Sequence, residues 1–256
     1  MGRAKEIIVK VIPSSIANSF IKATHYSGKV VANSSLHFGA FLDNKLHGVM
    51  SFGSPLDKRK VLSLVHTEEN KPCLWNEMLE LNRMAFDEYL PRNSESRAIA
   101  IAIKLIRKNA PQIKWILSFS DGVLCGDGTI YRASGFSLTQ INSHTENWRL
   151  PNNMVVQAST LRQSGYTSWL KPFISEAKFN EIRSGSTTSK RIMDYIKATK
   201  LEGSQLRYIY LVDKKCKIAV PVIPFKKIDE LGAGMYKGKN VSVKDRKCVG
   251  NVTGSI

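Results

Sequence analysis

Acidic residues are scarce in this chain: 21 Asp and Glu stand against 38 Lys and Arg in 256 residues, a formal charge of +17. That excess repels itself and attracts polyanions from a distance, so nucleic acid is the first partner to consider, with a ribosome-like or membrane-surface role as the bland alternative. Long apolar runs are missing too. No window approaches roughly 18 consecutive apolar residues, and the opening Met1-Gly-Arg-Ala-Lys-Glu6 lacks the apolar core of a signal peptide, so the expectation is a cytosolic protein with no membrane partner. Glu6 also stands where a myristoylation motif needs Ser or Thr. Cys73, Cys125, Cys216 and Cys248 show no Cys-x-x-Cys spacing, which excludes a zinc ribbon and indicates no disulfide framework. His25, His37, His47, His66 and His144 have no ligand spacing either; a metal site would need them to converge in space, and the metal stays open. What is plentiful is apolar residues, at 43%, enough for one sizeable core plus an appendage.

The segment from Leu74 to Phe136 organises the rest. Leu79, Leu81, Arg83 and Ala85 alternate as one face of a β-strand, carrying an arginine out of an apolar row. In the following Leu90 to Arg97, Asn93 or Ser94 can cap a helix through Ala98 to Ile103 and on to Arg107 and Lys108, apolar all round and therefore central. After Pro111, residues Trp115 to Asp121 form a second strand that delivers Asp121 at its C-terminal end, where open α/β sheets bind ligands. Gly122 to Gly128 is loop, Thr129 starts one or two helical turns ended by Gly135, and Ser137 to Ile141 is a last strand.

Upstream, Glu6 to Ile12 reads as a strand, and Pro13 as the first residue of a helix over Ser14 to Tyr26 stopped by Gly28. His25 then falls in the last turn, where the structural reading is a cation favoured by the helix C-terminus. Phe38–Phe41 and Leu46–Phe52 flank a hairpin turn at Asp43-Asn44, and a further strand covers Lys60 to Val65. Downstream, the spacing gives a looser Ser/Thr/Gly linker over 157–189, a basic helix over Lys190 to Thr199, and a hairpin of Arg207–Asp213 with Lys217–Val222. The tail from Lys226 holds seven basic and three acidic residues and should be mobile without a polyanion. The domain boundary therefore falls at a catalytic unit over 1–156 and a basic extension over 157–256, made of helix, hairpin and tail, that packs on it and contacts nucleic acid.

The order β-α-β-β followed by β-α-β-α-β is that of the GNAT fold, the acyltransferase superfamily of acetyl-CoA-dependent N-acetyltransferases: an α/β protein with a mixed central sheet and flanking helices. His25-Tyr26-Ser27, Leu79-x-Leu81-x-Arg83, Asn93-Ser94-x-Ser96-Arg97, Ser118-x-Ser120-Asp121-Gly122 and Gly128-x-x-Tyr131-x-Ala133-x-Gly135-Phe136 together resemble the adenine-modification (Mom) proteins of Mu-like bacteriophages. The resemblance covers His25 to Phe136 well and Tyr208 to Tyr236 more loosely. It implies a GNAT-like enzyme of the host cytoplasm that converts the N6 amino group of adenine in double-stranded phage DNA to a carbamoylmethylamino group and protects that DNA from restriction.

The chemistry can be set beside this. The adenine amine is a weak nucleophile and is stacked and paired in a duplex, so the base must be extruded. Tyr26, Tyr131 or Trp148 would offer stacking faces. Asp121 is the candidate proton acceptor, Tyr131 the general acid and Arg83 the anchor for a carbonyl or phosphate, with Ser96, His25 and Tyr26 completing the catalytic set. A structural salt bridge between Arg83 and Asp121 is the bland alternative. Typical GNAT enzymes hold the CoA pyrophosphate in a glycine-containing loop; Arg92-Asn-Ser-Glu-Ser-Arg97 has no glycine and adds a carboxylate. Ser94, Arg97 and Ser120 are the cofactor-side candidates. The donor is either acetyl-CoA or a glycyl unit, for instance on tRNA, since a glycyl group has the same atoms as carbamoylmethyl. Lys190, Arg191, Lys226, Lys227, Lys237 and Lys239 are the nucleic-acid contacts. Two other readings remain: an ordinary acetyltransferase acting on a protein or small amine, and a non-catalytic basic DNA-binding protein.

Overall fold

The computed structural model describes residues 3–143, 146–158, 161, 165–183, 188–236 and 239–240. In chain order its strands are β1 (Ile8–Val11), β2 (Ser34–Leu42), β3 (Lys45–Gly53), β4 (Val65–His66), β5 (Met78–Phe86), β6 (Trp115–Asp121) and β7 (Ser137–Asn142). They continue with β8 (Asn147–Arg149), β9 (Val155–Gln157), β10 (Thr199–Lys200), β11 (Gln205–Leu211), β12 (Lys217–Ile218), β13 (Met235–Tyr236) and β14 (Lys239–Asn240). The helices are α1 (Ser14–Thr24), α2 (Ser94–Asn109), α3 (Thr129–Ala133), α4 (Glu176–Ile182), α5 (Thr188–Tyr195) and α6 (Lys226–Glu230).

A seven-stranded sheet in the order β1-β2-β3-β5-β6-β11-β7 forms the centre. With helices against both faces it is the mixed α/β, GNAT-like arrangement expected. Asp43 and Asn44, with φ of 50° and 61°, make the tight β2–β3 turn, a conformation these two residue types tolerate. Between β5 and β6 the chain makes a parallel pairing, joined by α2. On one face α2 buries Ala98, Ile99, Ala102, Ile103 and Ile106 against Phe38, Met50, Phe52 and Leu81. Each such isoleucine contributes roughly 1.5–3 kcal/mol by leaving water. The opposite face takes Ala17 and Ile21 of α1 against Val49 and Ala85. Val61, Leu64 and Cys73 cover Trp115 and Leu117 on that same side of β6. The helix expected to be apolar all round is thus one-sided: Ala100, Lys104, Arg107 and Lys108 face water.

One local irregularity changes what the sheet presents. Ser51 pairs with Arg83 but Phe52 with Leu81, so Asn82 is an extra residue, a β-bulge. A bulge reverses the alternation beyond it. Leu79 and Leu81 pack toward α2, and so do Met84 and Phe86, while Ala85 packs with α1. The expected single row of Leu79, Leu81, Arg83 and Ala85 is therefore broken, and Arg83 emerges with Ala85 on the α1 side.

Other boundaries also move. Pro13 is the N-cap of α1 rather than its first residue, and the helix stops at Thr24, leaving His25 as its C-cap. The strand expected over Lys60 to Val65 is instead two short 3₁₀ turns, Lys58–Lys60 and Leu62–Leu64, with Val65 alone of that stretch in β4. β12 pairs with β4 instead of making a hairpin with β11, and β11 lies inside the sheet, antiparallel to β6 from Gln205↔Asp121 to Leu211↔Trp115. Ser137–Ile141, expected as the last strand, borders β11.

By internal contacts the chain divides into one unit of Met1–Ile141 with Gln205–Ile256 and a second of Asn142–Ser204, so the division does not fall at residue 156. The second unit has its own core of Trp148, Leu150, Leu161, Leu170, Phe179 and Ile192, with a small β10-β8-β9 sheet. The stretch expected to be a loose linker supplies half of that core. The tail beyond Asn240, with Cys248, lies outside the described residues.

Candidate active site

The last residues paired between β5 and β6 are Leu81 and Ser118. Beyond them β5 continues beside β3 to Phe86 and β6 beside β11 to Asp121, so the sheet opens between Arg83 and Asp121. The turn after α1 serves this opening. His25 donates its N–H to Ile21, and Gly28, at φ 58°, donates to His25 O at 2.8 Å, closing a turn that needs a left-handed residue. Inside it Ser27 N–H donates to His25 Nδ1 at 3.1 Å, with Ser27 Oγ 2.8 Å from the same nitrogen. With Nδ1 accepting, the neutral ring carries its hydrogen on Nε2. Burial, with the Arg83 charge as second cause, lowers the His25 pKa to about 4. The ring is therefore neutral near pH 7, not the cation that a helix C-terminus would favour.

Tyr26, half exposed, lies beside His25 with ring centroids 4.3 Å apart and donates its hydroxyl to Asp121 Oδ2 at 3.0 Å. Burial, the Asp121 charge and that hydrogen bond all raise the Tyr26 pKa well above the usual phenol range. The other carboxylate oxygen, Asp121 Oδ1, accepts from the N–H groups of Val123 at 2.9 Å and Leu124 at 3.3 Å. Three donors thus hold the carboxylate at the strand end. Arg83 donates from Nε to Lys29 O and from Nη1 to Asn82 O, each at 3.1 Å. No ion pair to Arg83 occurs among the described residues, so the salt bridge with Asp121 is not formed and the guanidinium is held by carbonyls alone.

Tyr131 comes from the other side of the sheet. It is buried, with ring centroids 5.4 Å from Phe136 and 5.1 Å from Tyr208. Burial pushes its pKa up to about 12, the hydrogen bond with Ser118 opposing, and the charges of Glu80 and Arg83 act on it. Two further groups belong to this neighbourhood although the sequence reading passed over them. Glu80, beside Asn82 and Arg83, has its pKa raised by burial. Cys125, on the loop after β6, has its thiol raised by desolvation and then by Asp121. Glu80 stands between Leu79 and Leu81 and faces away from both, a carboxylate inside the apolar first half of β5, the one signal that would have marked it.

The remaining candidates are occupied elsewhere. The Ser94 hydroxyl donates to Pro91 O, Ser96 Oγ to Asn93 O at 3.2 Å and Arg97 Nη2 to Lys5 O at 3.1 Å. Ser120, on the α2 side of β6, donates to Gly126 O. Trp148 is core in the second unit and Tyr131 core in the first, so of the three expected stacking faces Tyr26 alone is open. His37 bonds Ser51, His47 bonds Asp87 and His66 bonds Asn70. No group of three or more His, Cys, Asp or Glu able to hold a metal ion occurs among the described residues, and His144 lies outside them. Lys190 and Arg191 are exposed on α5, whereas Lys226 and Lys227 on α6 both approach Glu230. Lys237 lies outside the described residues, and for Lys239 only the backbone of β14 is described.

A CoA pyrophosphate in a GNAT-like fold would face the N-terminus of α2. Here Asn93 takes φ 69°, the N–H groups of Ser94 and Arg97 go to Pro91 and Asn93, and both serine hydroxyls are bonded to carbonyls. Glu95 adds a carboxylate in the first turn. These residues do not fit a pyrophosphate.

A protein-family profile described as the Mom protein family matches residues 6–227. A methylcarbamoylase mom of Escherichia phage Mu is 38% identical over 141 residues, 55% of this chain and 56% of that protein. The chain thus spans about half the length of this curated relative. Among solved structures, an acetyltransferase of Bacillus subtilis in complex with CoA shows 12% identity over 80% of this chain and 98% of its own, with a TM-score of 0.41. The ribosomal-protein-S18-alanine N-acetyltransferase of Escherichia coli shows 9% identity over 81% and 94%, with a TM-score of 0.41. A spermidine/spermine N-acetyltransferase of Vibrio cholerae shows 7% over 82% and 95%, with a TM-score of 0.42.

Proposed function

This chain belongs to the Mom protein family, and from that premise we propose that it is a transferase acting on the N6 amino group of adenine in double-stranded DNA. Its product is N6-carbamoylmethyladenine, which shields phage DNA from restriction in the host cytoplasm. The observation that carries this reading is the Tyr26 hydroxyl donating to Asp121 at the end of β6, with His25 and Arg83 beside it where the sheet opens. An exposed tyrosine joined to a carboxylate gives an extruded base a face to stack on and an acceptor for its amino hydrogens.

Asp121 takes the proton as N6 attacks, and Arg83, which makes no ion pair among the described residues, holds the oxygen of the carbonyl under attack. Tyr131 keeps its proton with a pKa pushed up to about 12, which suits a donor to the leaving oxygen. His25, neutral with Nδ1 occupied, serves as a hydrogen-bond donor through Nε2.

The poor fit of the α2 loop to a pyrophosphate favours a glycyl ester, such as one on tRNA, over acetyl-CoA. N6 attacks the glycyl carbonyl and the new N–C bond replaces the C–O ester bond; the glycyl amine then bonds to adenine C6 as the C6–N6 bond breaks, which gives the carbamoylmethyl isomer with the former N6 as its amide nitrogen. The test is mass spectrometry of nucleosides from DNA of cells expressing the chain and fed glycine labelled at both carbons and nitrogen. A carbamoylmethyladenine carrying all three labels is expected. Carbon label without nitrogen returns acetyl-CoA to first place, and unmodified adenine overturns the function.

A further inference from the structure

The chain leaves the sheet after β7 and re-enters it at β11, the strand next to β7. The sheet needs only a connection between these neighbours. Instead Asn142–Ser204 builds a compact unit with its own apolar core, a cost in ordered residues that the sheet does not require.

Within this unit α4 and α5 pack together, α4 begun by Ser175, whose side chain accepts from Lys178 N–H. α5 is sharply two-faced. Ile192, Met193 and Ile196 are buried at its inner side, whereas Lys190, Arg191, Asp194 and Tyr195 are exposed. At about 100° per residue, the exposed four span roughly 140° and the buried three lie opposite. The core thus grips one side of a short helix and holds the other out to solvent. Lys197 and Lys200, both exposed, follow it directly.

A helix face that served only to neutralise phosphates would gain nothing from a carboxylate. Here Asp194 sits between Lys190 and Tyr195 on the presented face. In the major groove that mixture has a use: Arg and Lys donate to guanine O6 and N7, and a carboxylate accepts from the cytosine amino group. We propose that Asn142–Ser204 is a docking module for duplex DNA whose helix α5 enters the major groove with Lys190, Arg191 and Asp194 at the base edges. This rests on DNA being the substrate and assigns the module the choice of where the enzyme stands on it.

The experiment uses the full chain and a fluorescently labelled 20-base-pair duplex of mixed sequence, with anisotropy read over a salt series. K190A/R191A should weaken binding about tenfold or more while changing the slope of log affinity against log salt by less than about 1, because base-edge contacts release few counterions. R59A/K60A, which removes the same charge from exposed positions of the other unit, should cost less than about threefold. Equal losses from the two pairs would reduce the effect to net charge and overturn the proposal. A second duplex, with 7-deazapurines removing the N7 acceptors, should bind the wild-type chain several-fold more weakly and bind K190A/R191A no worse than normal DNA does. Wild-type binding indifferent to that change would place α5 on the backbone and overturn the groove assignment. Binding is read without turnover, so a chain that docks through α5 yet leaves adenine unmodified breaks the function proposed above and upholds this inference.

Discussion

Two turns of the larger unit are built from similar residues and do opposite things. His25-Tyr26-Ser27 after α1 and Asn93-Ser94-Glu95-Ser96 before α2 each carry hydroxyls, a left-handed residue and an arginine nearby. In the first, the backbone of the turn spends its bonds on the imidazole, and the Tyr26 hydroxyl is left to reach Asp121. In the second, the hydroxyls of Ser94 and Ser96 turn back on the carbonyls of Pro91 and Asn93, and Arg97 reaches Lys5. Polar residues at a helix end are chemistry when their side chains look across to another element, and capping when they satisfy their own backbone.

Substitutions can break this contrast. The largest effect should come from Asp121→Asn, which keeps the shape and removes the proton acceptor: modified adenine should fall about 100-fold or more in nucleoside analysis, with a stability loss of no more than about 2 kcal/mol. Gly128→Ala tests positioning of Tyr131 on the far side. At φ 80° its Cβ would lie 2.5 Å from Tyr208 Cε2 and 2.9 Å from Tyr131 Cδ2, so calorimetry should show a loss of about 1–3 kcal/mol. Tyr26→Phe removes one hydrogen bond to the carboxylate and should lower product about tenfold while leaving stability within about 1 kcal/mol.

His25 sharpens the contrast through pH. Its folded pKa, about 4, lies below the unfolded value of 6.5, so the unfolded chain binds the extra proton as pH falls. The stability from the neutral ring is complete above about 6.5 and is lost as pH drops toward 4, by no more than about 3 kcal/mol. His25→Gln should flatten that part of the melting-temperature profile. The smallest effect belongs to Arg97→Ala, exposed and bonded to one carbonyl: less than about 0.5 kcal/mol and unchanged product. A loss there equal to that of Asp121→Asn would erase the distinction between the two turns.

Much of the sheet was legible because its signals are local. Trp115–Asp121 reads as a strand from its Trp, Ile, Leu and Phe after Pro111, the β2–β3 turn from Asp43-Asn44, and the close of α3 from Gly135 before Phe136. Arg83 and Asp121 were placed at the opening by counting along strands. The side from which Arg83 emerges was not legible, because Asn82 bulges only in response to β3, and no residue of β5 announces that. Nor was the place of β11: its partner β6 ends at Asp121, far away in sequence, while Lys217–Val222 offered a nearer and wrong one. The second unit escaped because its core is gathered from short helices and loops, where neither a helical nor a strand period runs long enough to be counted.

That same placement of β11 bears on how the molecule assembles. Gln205 must find Asp121 across 84 positions of chain, and it does so as an inner strand, so the sheet is split until it arrives. Closing a long flexible loop grows costlier by only about 0.6 kcal/mol per doubling, but non-local pairing slows folding steeply. The contacts of Asn142–Ser204 are local by comparison, so this unit can collapse first and remove most of the slack between β7 and β11. The intervening unit then acts as a splint that shortens the search of the sheet for its missing strand.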